Sequence, residues 1–118
     1  MVQSMLIFKE AGIGDAVPPH QDAAFLATEP ASVVGLWIAL DAATSDNGAL
    51  ELATGAHRGP LRSRYRRAGD RLWTEILDDT PLESPDVVVS AQPGTLIAFD
   101  GRLPHGSRPT PPPTPAGP

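Results

Sequence analysis

Cysteine is absent from the 118-residue sequence, which excludes disulfide bonds, thiolate metal ligands and a cysteine nucleophile. A basic excess is missing too, since the net charge is -5 and the isoelectric point is about 4.9, which argues against nucleic-acid binding. No apolar run reaches the length of a membrane span, and residues 1–8 lack the basic start of a signal peptide. We therefore expect a cytoplasmic protein that binds neither nucleic acid nor membrane, while its oligomeric state is left open.

Short apolar segments separated by turn residues are the main feature of the sequence. Hydrophobic residues make up 41% of the chain, enough for one domain with a modest core. The predicted strands are residues 2–8, 33–40, 49–54, 86–90 and 95–99. Residues 33–40 are almost uniformly apolar, which is typical of a buried central strand. Because no long amphipathic helix is predicted, the pattern favours an antiparallel sandwich or barrel.

Two stretches are ambiguous. Residues 23–30 are expected to be irregular, and residues 72–77 to form one helical turn or a short strand. Residues 58–71 are expected to be a surface loop or to contain a short helix. That stretch carries six arginines: Arg58, Arg62, Arg64, Arg66, Arg67 and Arg71. We prefer a solvated face for them over capture of a carboxylate, phosphate or CoA thioester.

A possible metal site begins at His20-Gln21-Asp22. On an extended strand His20 and Asp22 point to the same side, while Gln21 turns away. Together with His105 they would form the 2-His-1-carboxylate set of non-haem Fe(II) oxygenases. Read alone, the pair is better explained as exposed polar residues at a strand start, because His and Asp are common there. His105 strengthens the metal interpretation because, like His20, it follows a proline; His57 is a second choice as third ligand.

Proline marks the far end of the chain. Six of the fourteen prolines fall in the last ten residues, which cannot supply a regular sheet ladder. We predict a domain over residues 1–108 and a disordered, solvated tail over 109–118, with both ends of the domain cut short. An alternative is an interaction module in which residues 110–115 dock as a polyproline helix.

Taken in order, several motifs together resemble the phytanoyl-CoA dioxygenase family, and in particular its branch of phytanoyl-CoA dioxygenase domain-containing proteins. The ordered blocks cover most of residues 2–108. They are VQSMLIFK (2–9), PHQDAAFL (19–26), TEP (28–30), GLWIAL (35–40), NGAL (47–50), GAH (55–57) and LPHGS (103–107).

The resemblance implies a double-stranded β-helix (a cupin-like jelly roll), incomplete at both ends, which binds Fe(II) and uses 2-oxoglutarate and O2 as co-substrates. It implies iron ligation by His20, Asp22 and His105, and no ligand role for His57. It also implies contact of Ser107 with the distal carboxylate of 2-oxoglutarate. Met5 and Trp37 match positions that line the co-substrate pocket, although Trp37 also suits a core position. The substrate would be a small or acyl-CoA-like molecule that is hydroxylated.

One departure concerns the arginine that clamps 2-oxoglutarate in the family, roughly ten residues after the distal histidine. That position falls near Ala116, within the proline tail, and Arg108 is too early in the chain for the same role. We therefore expect weak iron binding and poor turnover. Two alternatives remain open: a cupin-like metal protein without 2-oxoglutarate chemistry, such as an isomerase or lyase, and a non-catalytic fragment.

Overall fold

Eight short strands and very little helix make up the protein in the computed structural model, which describes residues 1–26, 28–30, 32–76 and 82–113. No helix among these residues is long and apolar enough to cross a membrane. In chain order the elements are β1 Val17–His20, α1 Asp22–Phe25, β2 Val34–Ile38, β3 Leu50–Leu52, a 3-10 helix Ala56–Arg58, β4 Ser63–Ala68, β5 Arg71–Ile76, β6 Val87–Val88, β7 Leu96–Asp100 and β8 His105–Ser107.

All the strand pairings are antiparallel, as the turn-rich sequence predicts. One sheet has four strands in the order β1-β8-β3-β6, and two further sheets pair β2 with β7 and β4 with β5. Strand β8 lies between β1 and β3, although about eighty residues separate it from β1 along the chain. This long-range pairing brings two distant segments together at the edge where the metal site is predicted.

Alanines form the small core between the sheets. Trp37 of β2 and Val88 of β6 pack against a cluster of four buried alanines: Ala39, Ala43, Ala49 and Ala91. Backbone hydrogen bonds between Ala43 and Ala91 join the loops at this point. Small side chains allow the backbones to approach closely, so the core is thin and Trp37 supplies much of its volume.

The strand predicted over residues 33–40 forms, but its predicted burial is only half right. β2 alternates, and its outer face carries Val34, Leu36 and Ile38 with 69%, 66% and 57% of their surface exposed. On the other face Gly35 lies under the ring of Phe99, which is its antiparallel partner on β7. A uniformly apolar run predicts two buried faces, whereas only one face of β2 meets the described part of the chain.

Much of the arginine-rich stretch forms a hairpin, so the prediction of a loop or short helix over residues 58–71 was wrong from Ser63 onward, whereas Arg58 ends a short 3-10 helix and residues 59–62 are irregular. β4 and β5 pair in register from Ser63 with Ile76 to Ala68 with Arg71. The connecting turn contains Gly69 at a φ of 58°, a conformation that glycine adopts without strain. A Gly-Asp pair between two strand-like segments was the signal for this hairpin. The strand alternative for residues 72–77 is confirmed as far as Ile76, since residue 77 lies outside the described residues.

Residues 2–8 do not form the predicted strand. Their apolar side chains are exposed, for example Phe8 at 76%, and no strand of the described chain pairs with them. β-propensity without a ladder partner is insufficient to hold an extended segment as a strand. The predicted irregularity of residues 23–30 also needs correction at its start, where Asp22–Phe25 forms one turn of helix.

The start of the proline-rich segment is held against the loop before β1. The backbone N–H of Thr110 donates to the carbonyl of Gly14 at 2.9 Å, and the N–H of Gly14 donates to Oγ1 of Thr110 at 3.0 Å. Gly12 donates to the carbonyl of Pro111, and Thr110 is buried. These contacts correct the predicted solvated tail at Thr110, whereas Pro111 is exposed and accepts one hydrogen bond through its carbonyl. Residues 114–118, where the predicted disorder would continue, lie outside the described residues.

Candidate metal centre

An irregularity in the pairing of β1 with β8 places two histidines opposite each other. Val17 pairs with Ser107 and His20 pairs with His105, so β1 spans one residue more than β8 over the same distance. Such a bulge bends the strand and re-aims its side chains. The two imidazole rings consequently lie with their centroids 4.3 Å apart.

Each histidine is oriented by the same kind of local hydrogen bond. Nδ1 of His20 lies 2.9 Å from the carbonyl oxygen of Pro18, and Nδ1 of His105 lies 2.9 Å from that of Leu103. In both cases the carbonyl belongs to the residue two positions earlier, and a proline in between restricts it to extended geometry. With Nδ1–H donating to the backbone, Nε2 is left as the ligand atom, as in most histidine metal sites.

Asp22 completes the group from the first turn of α1 rather than from a strand. β1 ends at His20, and Gln21 has extended geometry (φ -114°, ψ 121°) before the helix begins. The predicted alternation therefore holds as far as Gln21, whose side chain turns inward and is 1% exposed. Oδ1 of Asp22 lies 3.4 Å from Nε2 of His20 and 3.4 Å from Nε2 of His105.

The three donor atoms could share one metal ion. Each of the three residues offers one ligand atom, and these atoms lie within 4.8 Å of one another. With metal–ligand bonds of about 2.1 Å, adjacent donors of an octahedral ion lie about 3 Å apart, which is close to the 3.4 Å from Oδ1 of Asp22 to each histidine Nε2. The site is reachable from outside, because the side chains of His20 and Asp22 are 28% and 30% exposed, whereas that of His105 is 8% exposed.

Electrostatics keep the carboxylate ready to act as a ligand. Burial alone would raise the pKa of Asp22, but hydrogen bonds from His105 and His20, together with their charges, outweigh it and hold that pKa well below its usual range. The hydrogen bond to Asp22 raises the pKa of His20, and partial burial opposes this. In the metal-free protein, the carboxylate of Asp22 therefore favours the protonated form of His20.

Two phenylalanines flank the imidazoles. The Phe99 ring lies 4.6 Å from that of His105, and the Phe25 ring meets that of His20 edge-on at 5.8 Å. Phe99 fits there because Gly35 has no side chain, and a Cβ on Gly35 would collide with the Phe99 ring. The ligand rings are therefore packed against apolar surface on one side, which limits their rotation.

Comparison with known proteins places the chain in a family. The family model described as phytanoyl-CoA dioxygenase matches residues 1–111. The chain belongs to the phytanoyl-CoA dioxygenase family. This confirms the resemblance read from the ordered motifs, including those around His20 and His105.

Individual relatives agree with the family assignment. The chain is 44% identical over 108 residues to a phytanoyl-CoA dioxygenase of Arabidopsis thaliana, and 41% identical over 112 residues to phytanoyl-CoA dioxygenase domain-containing protein 1 of Bos taurus. Each match covers 91% of this chain and 38% of the relative, so the chain spans well under half the length of these curated relatives.

A solved structure also matches. The crystal structure of EvdMO1 superposes with a TM-score of 0.62 at 34% sequence identity, covering 88% of this chain and 22% of that one. Together with the antiparallel pairings, this match confirms the predicted fold class, a strand-rich jelly roll.

The residues predicted to contact the co-substrate lie in three different places. Ser107 is on β8 two residues beyond His105, so both side chains are on the same face of the sheet. Trp37 packs against the alanine core, and Met5 is in the exposed segment before β1. Ser107 therefore shares a face of β8 with His105, and the roles of all three remain predictions.

Arg108 points away from the candidate centre. As the neighbour of Ser107 it lies on the opposite face of β8, where its Nε donates to Oε1 of Glu51 at 2.8 Å. This agrees with the expectation that Arg108 does not serve as the family's clamp. The position near Ala116, where the clamp is expected, lies outside the described residues.

His57 is separate from the three ligands. It lies on the 3-10 helix and lines a cavity of about 280 Å³ together with Asp100 and Arg102. A neighbouring cavity of about 240 Å³ is bounded partly by Leu52 and Phe99. The sequence-based choice of His105 over His57 as third ligand therefore agrees with the geometry of the described residues.

Proposed function

We propose that the chain carries the Fe(II)-binding centre of a 2-oxoglutarate-dependent dioxygenase of the phytanoyl-CoA dioxygenase type. The observation that supports this most strongly is the convergence of Nε2 of His20, Oδ1 of Asp22 and Nε2 of His105 in a chain that belongs to this family. Two imidazoles and one carboxylate leave the remaining octahedral positions open for a co-substrate and O2.

The donor set suits ferrous iron. The ligands are nitrogen and oxygen atoms, each histidine is supported by a backbone carbonyl, and no thiol is present in the chain to favour a softer metal. When bound, iron would supply the activation of O2 that couples oxidative decarboxylation of 2-oxoglutarate to hydroxylation of a C–H bond.

The protein's own residues would orient and shield this chemistry. The carbonyls of Pro18 and Leu103 hold the imidazoles in the tautomer that presents Nε2, and Asp22 stays ionised over the physiological pH range. Phe99 packs against the His105 ring and excludes water from that side. Ser107, on the same face as His105, is the residue we assign to the distal carboxylate of 2-oxoglutarate.

The substrate is proposed only by class. A small molecule or an acyl-CoA-like compound with an aliphatic C–H bond is consistent with the family, and the protein is proposed to act in the cytoplasm. Because the chain spans 38% of the length of the relatives it matches, activity and substrate choice of the whole protein are part of the proposal.

Anaerobic spectroscopy tests the proposal directly. Fe(II) is added to the metal-free chain, followed by 2-oxoglutarate, and the appearance of a metal-to-co-substrate charge-transfer band is recorded. We expect the band with the wild type and with the control His57→Ala, and no band with His105→Ala, because one of the three ligands is then lost.

Two results would contradict the proposal. Failure of the wild type to bind Fe(II) would remove the metal centre. Iron binding without a spectral response to 2-oxoglutarate would favour the cupin-like alternative without this co-substrate. Succinate measured after admission of O2 tests the separate expectation of poor turnover, which rates typical of an intact dioxygenase would overturn.

A further inference from the structure

Gln21 lies between the two ligands His20 and Asp22. Among the residues whose burial the structure describes, its side chain and that of Pro104 are the largest that are fully buried. Its own side chain faces the protein interior, while its two neighbours face the candidate metal centre. Burying a primary amide is unfavourable unless its donors and acceptor are satisfied. The contacts of this amide therefore indicate what its burial achieves.

Three hydrogen bonds satisfy the amide, and all three go to backbone atoms. Nε2 donates to the carbonyl of Arg102 at 2.9 Å and to the carbonyl of Pro60 at 3.2 Å. Oε1 accepts from the N–H of Arg62 at 2.9 Å. A single side chain thus joins the ligand-bearing turn to two segments that are 39 to 81 residues away in sequence.

One of those segments leads directly to the third ligand. Arg102 is followed by Leu103, whose carbonyl orients the ring of His105. A backbone hydrogen bond from Ala23 to the carbonyl of Gly101 reinforces the same junction at 2.9 Å. The position of Asp22 relative to His105 therefore depends on contacts made by the residue immediately before Asp22.

We propose that Gln21 is a positioning residue for the metal centre, fixing the turn that carries His20 and Asp22 against the segment that carries His105. It does not touch the metal. The expected effect on metal affinity rests on the proposed function. The arrangement of Gln21 and its hydrogen-bond partners also exists in the metal-free protein.

The three contacts make specific demands on the side chain. Methionine has a similar length and volume but leaves two carbonyls and one N–H without their partner. Glutamate keeps the acceptor for Arg62 but presents an oxygen instead of an N–H to the carbonyls of Arg102 and Pro60. Either change should let the two ligand-bearing segments shift relative to each other.

The test uses two readouts on the full chain, with Gln21→Met and Gln21→Glu as variants. Gln92→Met, at an exposed glutamine, is the matched control. Co(II) serves as the metal probe, and its affinity and d–d absorption spectrum are measured. In the metal-free protein, nuclear Overhauser contacts between the ring protons of His20 and His105 report on the ligand spacing, and circular dichroism confirms folding.

We expect Co(II) affinity to fall by about 10–100-fold in folded Gln21 variants, with an altered d–d spectrum, and the contact between the two rings to weaken. Gln92→Met should match the wild type. A folded variant at Gln21 with wild-type affinity, spectrum and ring contact would overturn the inference, and the glutamate variant decides the matter if the methionine variant does not fold. If the wild type bound no Co(II) but its ring contact still depended on Gln21, the proposed function would fail while the positioning role stood.

Discussion

Two antiparallel strand pairs in this protein are built in opposite ways. Where β1 meets β8, buried polar groups and close backbone contacts surround the candidate ligands, and Gln21 and His105 are almost fully enclosed. Where β2 meets β7, the pairing is regular over five residues, yet the outer face of Val34, Leu36 and Ile38 is open. The difference shows that regular pairing and enclosure are separate properties here.

The contrast also separates what each pair does. At the irregular β1–β8 edge, specific contacts set the positions of three side chains. The regular β2–β7 pair supplies a scaffold whose inner face, through Phe99, supports His105. Precision at the centre should therefore be sensitive to small changes at the first pair, and insensitive to changes on the outer face of the second.

The largest effect is expected from Gly106→Ala at the first pair. A Cβ on Gly106 would lie 2.5 Å from the carbonyl oxygen of Val17 and 3.1 Å from the nitrogen of Pro19, and backbone atoms in a sheet cannot move aside cheaply. We expect a loss of about 1–3 kcal/mol in the free energy of unfolding, measured by urea denaturation, together with weakened metal binding.

Gly59→Ala is the control for a milder contact, since its added Cβ would come no nearer than 3.3 Å to a backbone carbonyl oxygen and its φ of -77° suits any residue, so a smaller loss is expected. A Gly106→Ala protein as stable as the wild type would mean that β1 and β8 are less tightly apposed in solution, and the contrast between the two pairs would disappear.

A change in pH is expected to have an intermediate effect on the stability of the metal-free protein. The pKa of His20 is raised above 6.5 in the folded state, so its contribution to stability is complete below that value and is lost as pH rises through the raised pKa. The pKa of Asp22 is lowered from 3.8, so its contribution is present above that value and is lost only as pH falls through the lowered pKa.

Thermal unfolding of the metal-free protein from about pH 5 to about pH 8 measures this dependence. The unfolding midpoint of the wild type should fall toward the alkaline end relative to that of His20→Gln, while the control His57→Gln should follow the wild type. Parallel curves for the wild type and His20→Gln would indicate that the pair of His20 and Asp22 contributes nothing to folding.

The smallest effect is expected from Leu36→Thr on the outer face of β2. Leu36 is 66% exposed and threonine suits a strand, so the free energy of unfolding should change by no more than about 0.5 kcal/mol. Ala39→Thr, at a buried position, is the contrasting variant and should cost about 1–3 kcal/mol. A comparable loss from Leu36→Thr, in the same chemical denaturation assay, would show that this face is covered in solution.

Prediction from sequence succeeded where local chemistry carries the information. The absence of cysteine limited the metal ligands to His, Asp and Glu, and the prolines before His20 and His105 marked two equivalent positions. It failed for residues 2–8, because a strand needs a partner that propensity does not reveal, and for residues 63–71, where a Gly-Asp turn joins two strands. Nothing in the sequence indicated the burial of Gln21 except its place between two ligands.

The sequence by itself determined the ligand types, the family and the strand-rich class, since these depend on residue identity, order and local propensity. Only the tertiary structure decided that β1 bulges opposite β8, that Asp22 starts a helix, and that Arg108 points away from the centre. The physical reason is that distances between segments eighty residues apart are set by hydrogen-bond register and packing, which no local pattern encodes.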